Sequence, residues 1–337
     1  MAINTILLVL LGNVSRMPIF SLFILVVLVV VNINLSIILP ILLYSLSIHV
    51  SFYVGYLGMN YNNVIGFLLF IIFVIQLISG LLLSCYYSDY YKIAFESVIY
   101  IMTDVNIGWF IRFLHVIGVS LFILFILIHL IRGIWIKFNI IFLDSAINII
   151  WASGLLLLGM SLMEGFLGYI LLWGQMSYWG ITVILNVLSI IPIFGGLIID
   201  LIWCSSQVIL YRIFLFHFFI GLLIGLLILS HILMIHSFTN SNPLISSNSS
   251  LIIPFYPFLY KDLFILFSII ASVLTFTLYF HPDILGNNDN LIQANSLLTP
   301  KNILPEWYYL CFYCCLRCFP DKSIGFIIVL LFFVFII

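Results

Sequence analysis

Residues 111–133 read IRFLHVIGVSLFILFILIHLIRG, an apolar run interrupted by two histidines, His115 and His129, and two arginines, Arg112 and Arg132. An ionisable side chain inside a membrane span is costly and marks a functional site by default. Fourteen residues separate the two histidines. On a helix that interval is a rise of about 21 Å and falls roughly 40° short of four turns, so both rings leave nearly one face. The run from Phe214 to His236 repeats the arrangement, with His217 and His231 at the same interval. Two such helices can form two His–metal–His bridges stacked about 21 Å apart. Haem iron with two axial histidines is the centre that most naturally spans them.

Composition agrees with a membrane setting. Of 337 residues, 65% are hydrophobic and 6% charged, against about 25% charged in a soluble domain. Continuous apolar runs without lipid-facing alternation give helices and not a β-barrel, so an all-α polytopic membrane protein is expected. A formal charge of −1 supplies no basic patch for nucleic acid. Four of the six cysteines lie in one short segment, which does not suggest a secreted disulfide framework. The N-terminus lacks an arginine-rich transit pattern, which fits synthesis inside the compartment of use or a bacterial membrane protein.

Spans of about 20 apolar residues are expected at Val64–Leu83, Trp109–Trp135, Ile147–Leu172, Phe214–Ile235 and Leu263–Phe280, with an extra candidate at Ile19–Leu39. Residues 85–108 and 173–212 read as surface and interfacial segments, and Ile324–Ile337 is short for a crossing. The chain divides into a variable hydrophobic region 1–60, a four-helix bundle 61–250 and a C-terminal region 251–337. One span separates the two histidine helices, so they run in the same direction. His115 then lies level with His217, and His129 with His231. The other two bundle spans carry Gly66 and Gly80, and Gly154 and Gly168, again fourteen apart. Glycine lets a flat macrocycle approach the backbone, although small residues also pack transmembrane helices together. Arg112 and Arg132 stand one turn outward from a histidine, where a propionate would need a cation and where a side chain can also snorkel to headgroups.

Taken together, DVNIGWFIRFLH (104–115), HLIRG (129–133), GYILLWGQMSYWGITVI (168–184), HILMIH (231–236), PDILGNNDN (282–290) and PEWY (305–308) resemble the cytochrome b family of respiratory complex III. The resemblance implies a four-helix bundle holding two haems b with further C-terminal spans, beside which the run Ile19–Leu39 is a candidate for one additional N-terminal span. It implies His115 and His217 as ligands of a low-potential outer haem, and His129 and His231 as ligands of a high-potential inner haem. It implies ubiquinol oxidation at an outer site and quinone reduction at an inner site, a Q cycle coupled to proton translocation. Implied partners are the Rieske iron–sulfur protein, cytochrome c1, other complex III subunits and a second copy of the chain. The implied location is the mitochondrial inner membrane, or alternatively a bacterial inner membrane.

By the same resemblance Glu306 accepts the quinol proton, with Tyr308, Tyr169 and Gly180 lining the outer pocket, while His236 and Asp262 serve the inner site. Cys311, Cys314, Cys315 and Cys318 read as small hydrophobes, since four cysteines on one helix face do not enclose a metal. His49 and His281 have no evident partner. The sequence departs from the family pattern at Leu172, where proline is usual, and at Glu164, a carboxylate within a span that faces an outer pocket or pairs with Arg212. Asn240 and Ser241 also depart, and the two spans that usually follow residue 337 are expected to be replaced by another subunit or dispensed with. Two other functions fit fewer residues. A two-haem anchor for a peripheral dehydrogenase would not need PEWY, and a haem-free proton-coupled transporter would show inverted repeats.

Overall fold

The computed structural model describes residues 54–56, 64–140, 145–191, 194–202, 206–238, 252–254 and 260–336. The candidate span 19–39, His49, Asn240 and Ser241 lie outside them. The chain forms two compact units. In the smaller, strand β1 (Val54–Tyr56) pairs antiparallel with β2 (Ile252–Pro254), Gly55 opposite Ile253. This ribbon was not anticipated by the apolar pattern, which resolves only long helices. Three-residue strands are too short for alternation to register.

The larger unit is helical. It contains α1 (Ile65–Ser84), α2 (Ala94–Thr103), α3 (Gly108–Ile140), α4 (Ser145–Ile170), α5 (Gln175–Leu188), α6 (Phe194–Ile202) and α7 (Ser206–Phe238). The helix α8 (Tyr260–Phe280) begins in the smaller unit and continues into the larger. Then come 3-10 turns at Asn288–Leu291 and Trp307–Tyr309, followed by α9 (Leu310–Cys318) and α10 (Lys322–Ile336). Segments of α1, α3, α4, α7 and α8 are long and apolar enough to cross a bilayer. Their outward residues, Leu226, Phe219 and Phe276 among them, are large, apolar and exposed, as suits contact with lipid rather than water. The protein is therefore an all-α polytopic membrane protein carrying one small ribbon.

Within the bundle, α1 packs chiefly on α3, and α4 on α7. Each pair joins one glycine-bearing helix to one histidine-bearing helix. A separate apolar core closes one end. Ala94 of α2, Ile170 of α4, Trp173 of the turn after it, Ile181 and Leu185 of α5, and Leu210 and Ile213 of α7 are buried together there. That core fixes the α4–α5 corner, where Tyr87 Oη donates to the carbonyl of Leu171 at 2.8 Å. Trp173 holds a left-handed backbone, φ 54°, which costs about 1–2 kcal/mol for a non-glycine residue. Its N–H bonds Ile170 O at 2.9 Å and its carbonyl accepts from Ala294 at 3.2 Å, so the turn is held on both sides.

Candidate redox and quinone sites

Each glycine of the fourteen-residue pairs faces one histidine. A Cβ placed on Gly80 would lie 3.2 Å from Cε1 of His115, and one on Gly66 3.4 Å from Cε1 of His129. On the second pair, Gly168 would meet Cε1 of His217 at 2.8 Å and Gly154 that of His231 at 3.4 Å. In both pairs the later glycine faces the earlier histidine, which is the register of antiparallel neighbours. Clearance at these positions is what a side chain would remove.

The histidines also meet across the bundle. The rings of His115 and His217 have centroids 6.5 Å apart with planes at 90°. Two imidazoles that would hold one metal through bonds of about 2 Å need ring centroids about 6 Å apart, so His115 and His217 stand at a spacing that would suit a shared haem. The Nδ1 atoms of the histidines are supported unequally. Ser79 Oγ lies 2.9 Å from that of His115, and Ser153 Oγ 2.6 Å from that of His231. A ligating histidine is normally oriented through the ring nitrogen it does not use for the metal, and both serines occupy that place. Nδ1 of His129 has no hydrogen-bond partner. The histidines and the glycines that face them suit haem as the group they would hold, with Arg112 and Arg132 one turn outward on α3.

Glu164, expected either to face an outer pocket or to pair with Arg212, stands against His217. Its Oε1 lies 2.9 Å from Nδ1 of His217, at ion-pair distance though not aligned as a hydrogen bond, whereas Arg212 donates to the carbonyl of Asp200 at 3.3 Å. The signal was present in the sequence. Glu164 precedes Gly168 by four residues, one helical turn, and so shares the glycine's face.

A second constellation gathers where PEWY meets α4. Tyr309 Oη donates to the carbonyl of Leu162, and its ring lies edge-on to Phe166 at 6.3 Å. Trp307 Nε1 reaches Ser120 Oγ on α3 at 3.4 Å. Tyr308 is buried, and its phenol is pushed up by burial first, then by the charges of Glu306 and Tyr169. These interactions bring Glu306, Tyr308 and Tyr169 into one neighbourhood. Burial pushes the Glu306 carboxyl up to about 7, where one group can accept and release a proton near neutral pH. A Cβ on Gly180 would meet open space.

The loop carrying Asn290 is pinned to the start of α5. Asn290 Oδ1 accepts from Ser177 N at 2.9 Å, and Gln175 N donates to Ile292 O at 2.8 Å. Gln175 Oε1 accepts from Asn295 N at 2.7 Å, while its Nε2 donates to Leu298 O. Gly174 is required here, because a Cβ would stand 2.3 Å from the carbonyl oxygen of Asn290. These bonds explain why WGQMS and NNDN belong to one site although more than a hundred residues separate them.

His236, in the last turn of α7, and Asp262, in the first turn of α8, belong to different units. Cys311, Cys314 and Cys318 are exposed, and the sulfurs of Cys314 and Cys318 are 3.7 Å apart.

A family model described as cytochrome b/b6/petB matches residues 50–239, and one described as cytochrome b(C-terminal)/b6/petD matches residues 293–337. A cytochrome b from Phytophthora megasperma is 37% identical over 284 residues, covering 83% of this chain and 73% of the relative. A chain from a solved structure titled hyperthermophilic respiratory Complex III superposes with a TM-score of 0.78 at 27% identity. That match covers 91% of this chain and 81% of the other.

Proposed function

The chain belongs to the cytochrome b/b6 family, and from that premise we propose that it carries electrons between two quinone sites on opposite sides of the membrane in respiratory complex III. The observation that carries this reading is the set of four glycine–histidine apposed pairs on antiparallel helices. Small residues that merely pack helices would not each face an imidazole.

In this reading His115 and His217 hold one haem b and His129 and His231 the other, with Arg112 and Arg132 as propionate partners. Gly66, Gly80, Gly154 and Gly168 leave room for the macrocycles. When bound, the haems supply one-electron transfer along the bundle. Glu306 takes the quinol proton. Its buried carboxyl, with a pKa of about 7, is matched to that task at neutral pH, because a base works best with a pKa near the operating pH. Tyr308 and Tyr169 flank it, and Gly180 keeps the adjoining surface free of side chains. For quinone reduction the resemblance points to His236 and to Asp262, each a hydrogen-bonding residue type. Proton uptake and release on opposite faces makes the cycle electrogenic.

The partners proposed are a Rieske iron–sulfur protein, cytochrome c1 and a second copy of the chain, within the mitochondrial inner membrane. The domain scheme of a bundle at 61–250 and a quinone-site region at 251–337 belongs to the same proposal. The test is the purified complex in sealed vesicles. Ubiquinol is expected to reduce cytochrome c with charge movement across the membrane, and Glu306→Gln is expected to abolish most of that rate. Haem-replete complex that oxidises no quinol would overturn the reading.

A further inference from the structure

Three of the four bundle histidines have an uncharged partner or none at Nδ1. Ser79 serves His115, Ser153 serves His231, and His129 has no hydrogen-bond partner. His217 alone faces a carboxylate, Glu164, at 2.9 Å. We propose that Glu164 is a positioning residue for His217, fixing the ring's tautomer and orientation and making its Nε2 a stronger electron donor to the haem it shares with His115.

The carboxylate is held on two sides. Glu164 and Gly168 are one turn apart on α4, so the same helix face presents bare backbone to Cε1 of His217 and a carboxylate to its Nδ1. From α7, a Cβ on Gly221 would stand only 3.0 Å from Glu164 Oε1, so the missing side chain there admits the carboxylate. Oε2 of Glu164 and Nδ1 of His217 are buried, and neither has an aligned hydrogen-bond partner. A carboxylate in a span is costly to keep without a role, and here the imidazole of His217 lies within ion-pair reach. A small rotation of the Glu164 side chain aligns the two as donor and acceptor. A carboxylate on the far nitrogen of a ligating histidine raises ligand basicity and fixes ring orientation. Stronger donation favours the oxidised iron, so Glu164 lowers the potential of the His115/His217 haem and leaves the other haem unaffected.

This inference rests on the reading of His217 as an axial ligand, and the test separates the two. Redox titration of the α-bands in purified complex is compared between the wild type and Glu164→Gln. The His115/His217 haem is expected to become easier to reduce by about tenfold, about 59 mV for a one-electron couple. Its low-spin EPR signal should change with it, and the other haem should not move. Gly221→Ala, which presses a methyl against Oε1 and leaves the charge in the chain, is expected to move the same haem in the same direction by less. Two bound haems with neither potential moved in these variants would overturn the role of Glu164. A wild-type complex without b-type bands would overturn the ligand assignment beneath it as well.

Discussion

Gly168 and His217 approach so closely that a methyl group on the glycine would lie 2.8 Å from Cε1 of the imidazole, the tightest of the four glycine–histidine contacts. Real Cβ atoms essentially never come that near, so either the ring or α4 must shift. Gly168→Ala is therefore expected to reduce occupancy of the His115/His217 haem more than Gly66→Ala, at 3.4 Å, reduces that of its partner. The ratio of the two b-type bands in membranes carrying each variant measures this.

Ser153 offers Oγ to His231 Nδ1 at 2.6 Å. Loss of such an outer partner typically costs 10–100-fold in affinity for a metal centre. Ser153→Ala is expected to weaken haem retention at the His129/His231 site by about that range, read as haem loss to an apo-haemoprotein scavenger. His115/His217 should retain haem normally.

Glu306 is pushed up to about 7 by burial, so its basic form grows as pH rises through that value. Quinol oxidation should therefore rise with pH from about 6 to about 8 and then level off. Glu306→Gln should lower the rate about 10²–10⁴-fold, the usual contribution of a positioned proton acceptor, and remove the rise. A steady-state pH profile of the complex checks both the slope and its loss.

Much of this was legible in the chain. The fourteen-residue intervals gave the same-face histidines, and the order of spans gave their parity. The glycine positions matched the structure's facing pairs because helix geometry is rigid enough to carry a phase over four turns. What was not legible lay in loops and in single polar side chains. The bonds joining Ser177 and Gln175 to residues 290–298 connect segments with no shared period. For Glu164 the sequence left an outer pocket and Arg212 as alternatives, although its place one turn from Gly168 put it on the face that meets His217. Cys311, Cys314, Cys315 and Cys318 share one helix face, but which way that face turns depends on packing that periodicity does not encode.

Asn290 is buried and holds Ser177 N through its side chain. Asn290→Ala leaves that N–H without its partner, a cost of about 1–3 kcal/mol for a buried donor. Faster hydrogen exchange is expected at residues 174–178 and 288–298, measured by mass spectrometry on the detergent-solubilised complex, with exchange in α1 and α3 unchanged.

The central claim is that one chain holds two haems on two histidine pairs. Pyridine haemochrome assay against protein mass gives the stoichiometry directly. Two haems b per chain are predicted for the wild type, falling to one in His217→Ala and to one in His231→Ala, with different α-bands lost. A wild-type value of one or none, or loss of the same band in both variants, would contradict it.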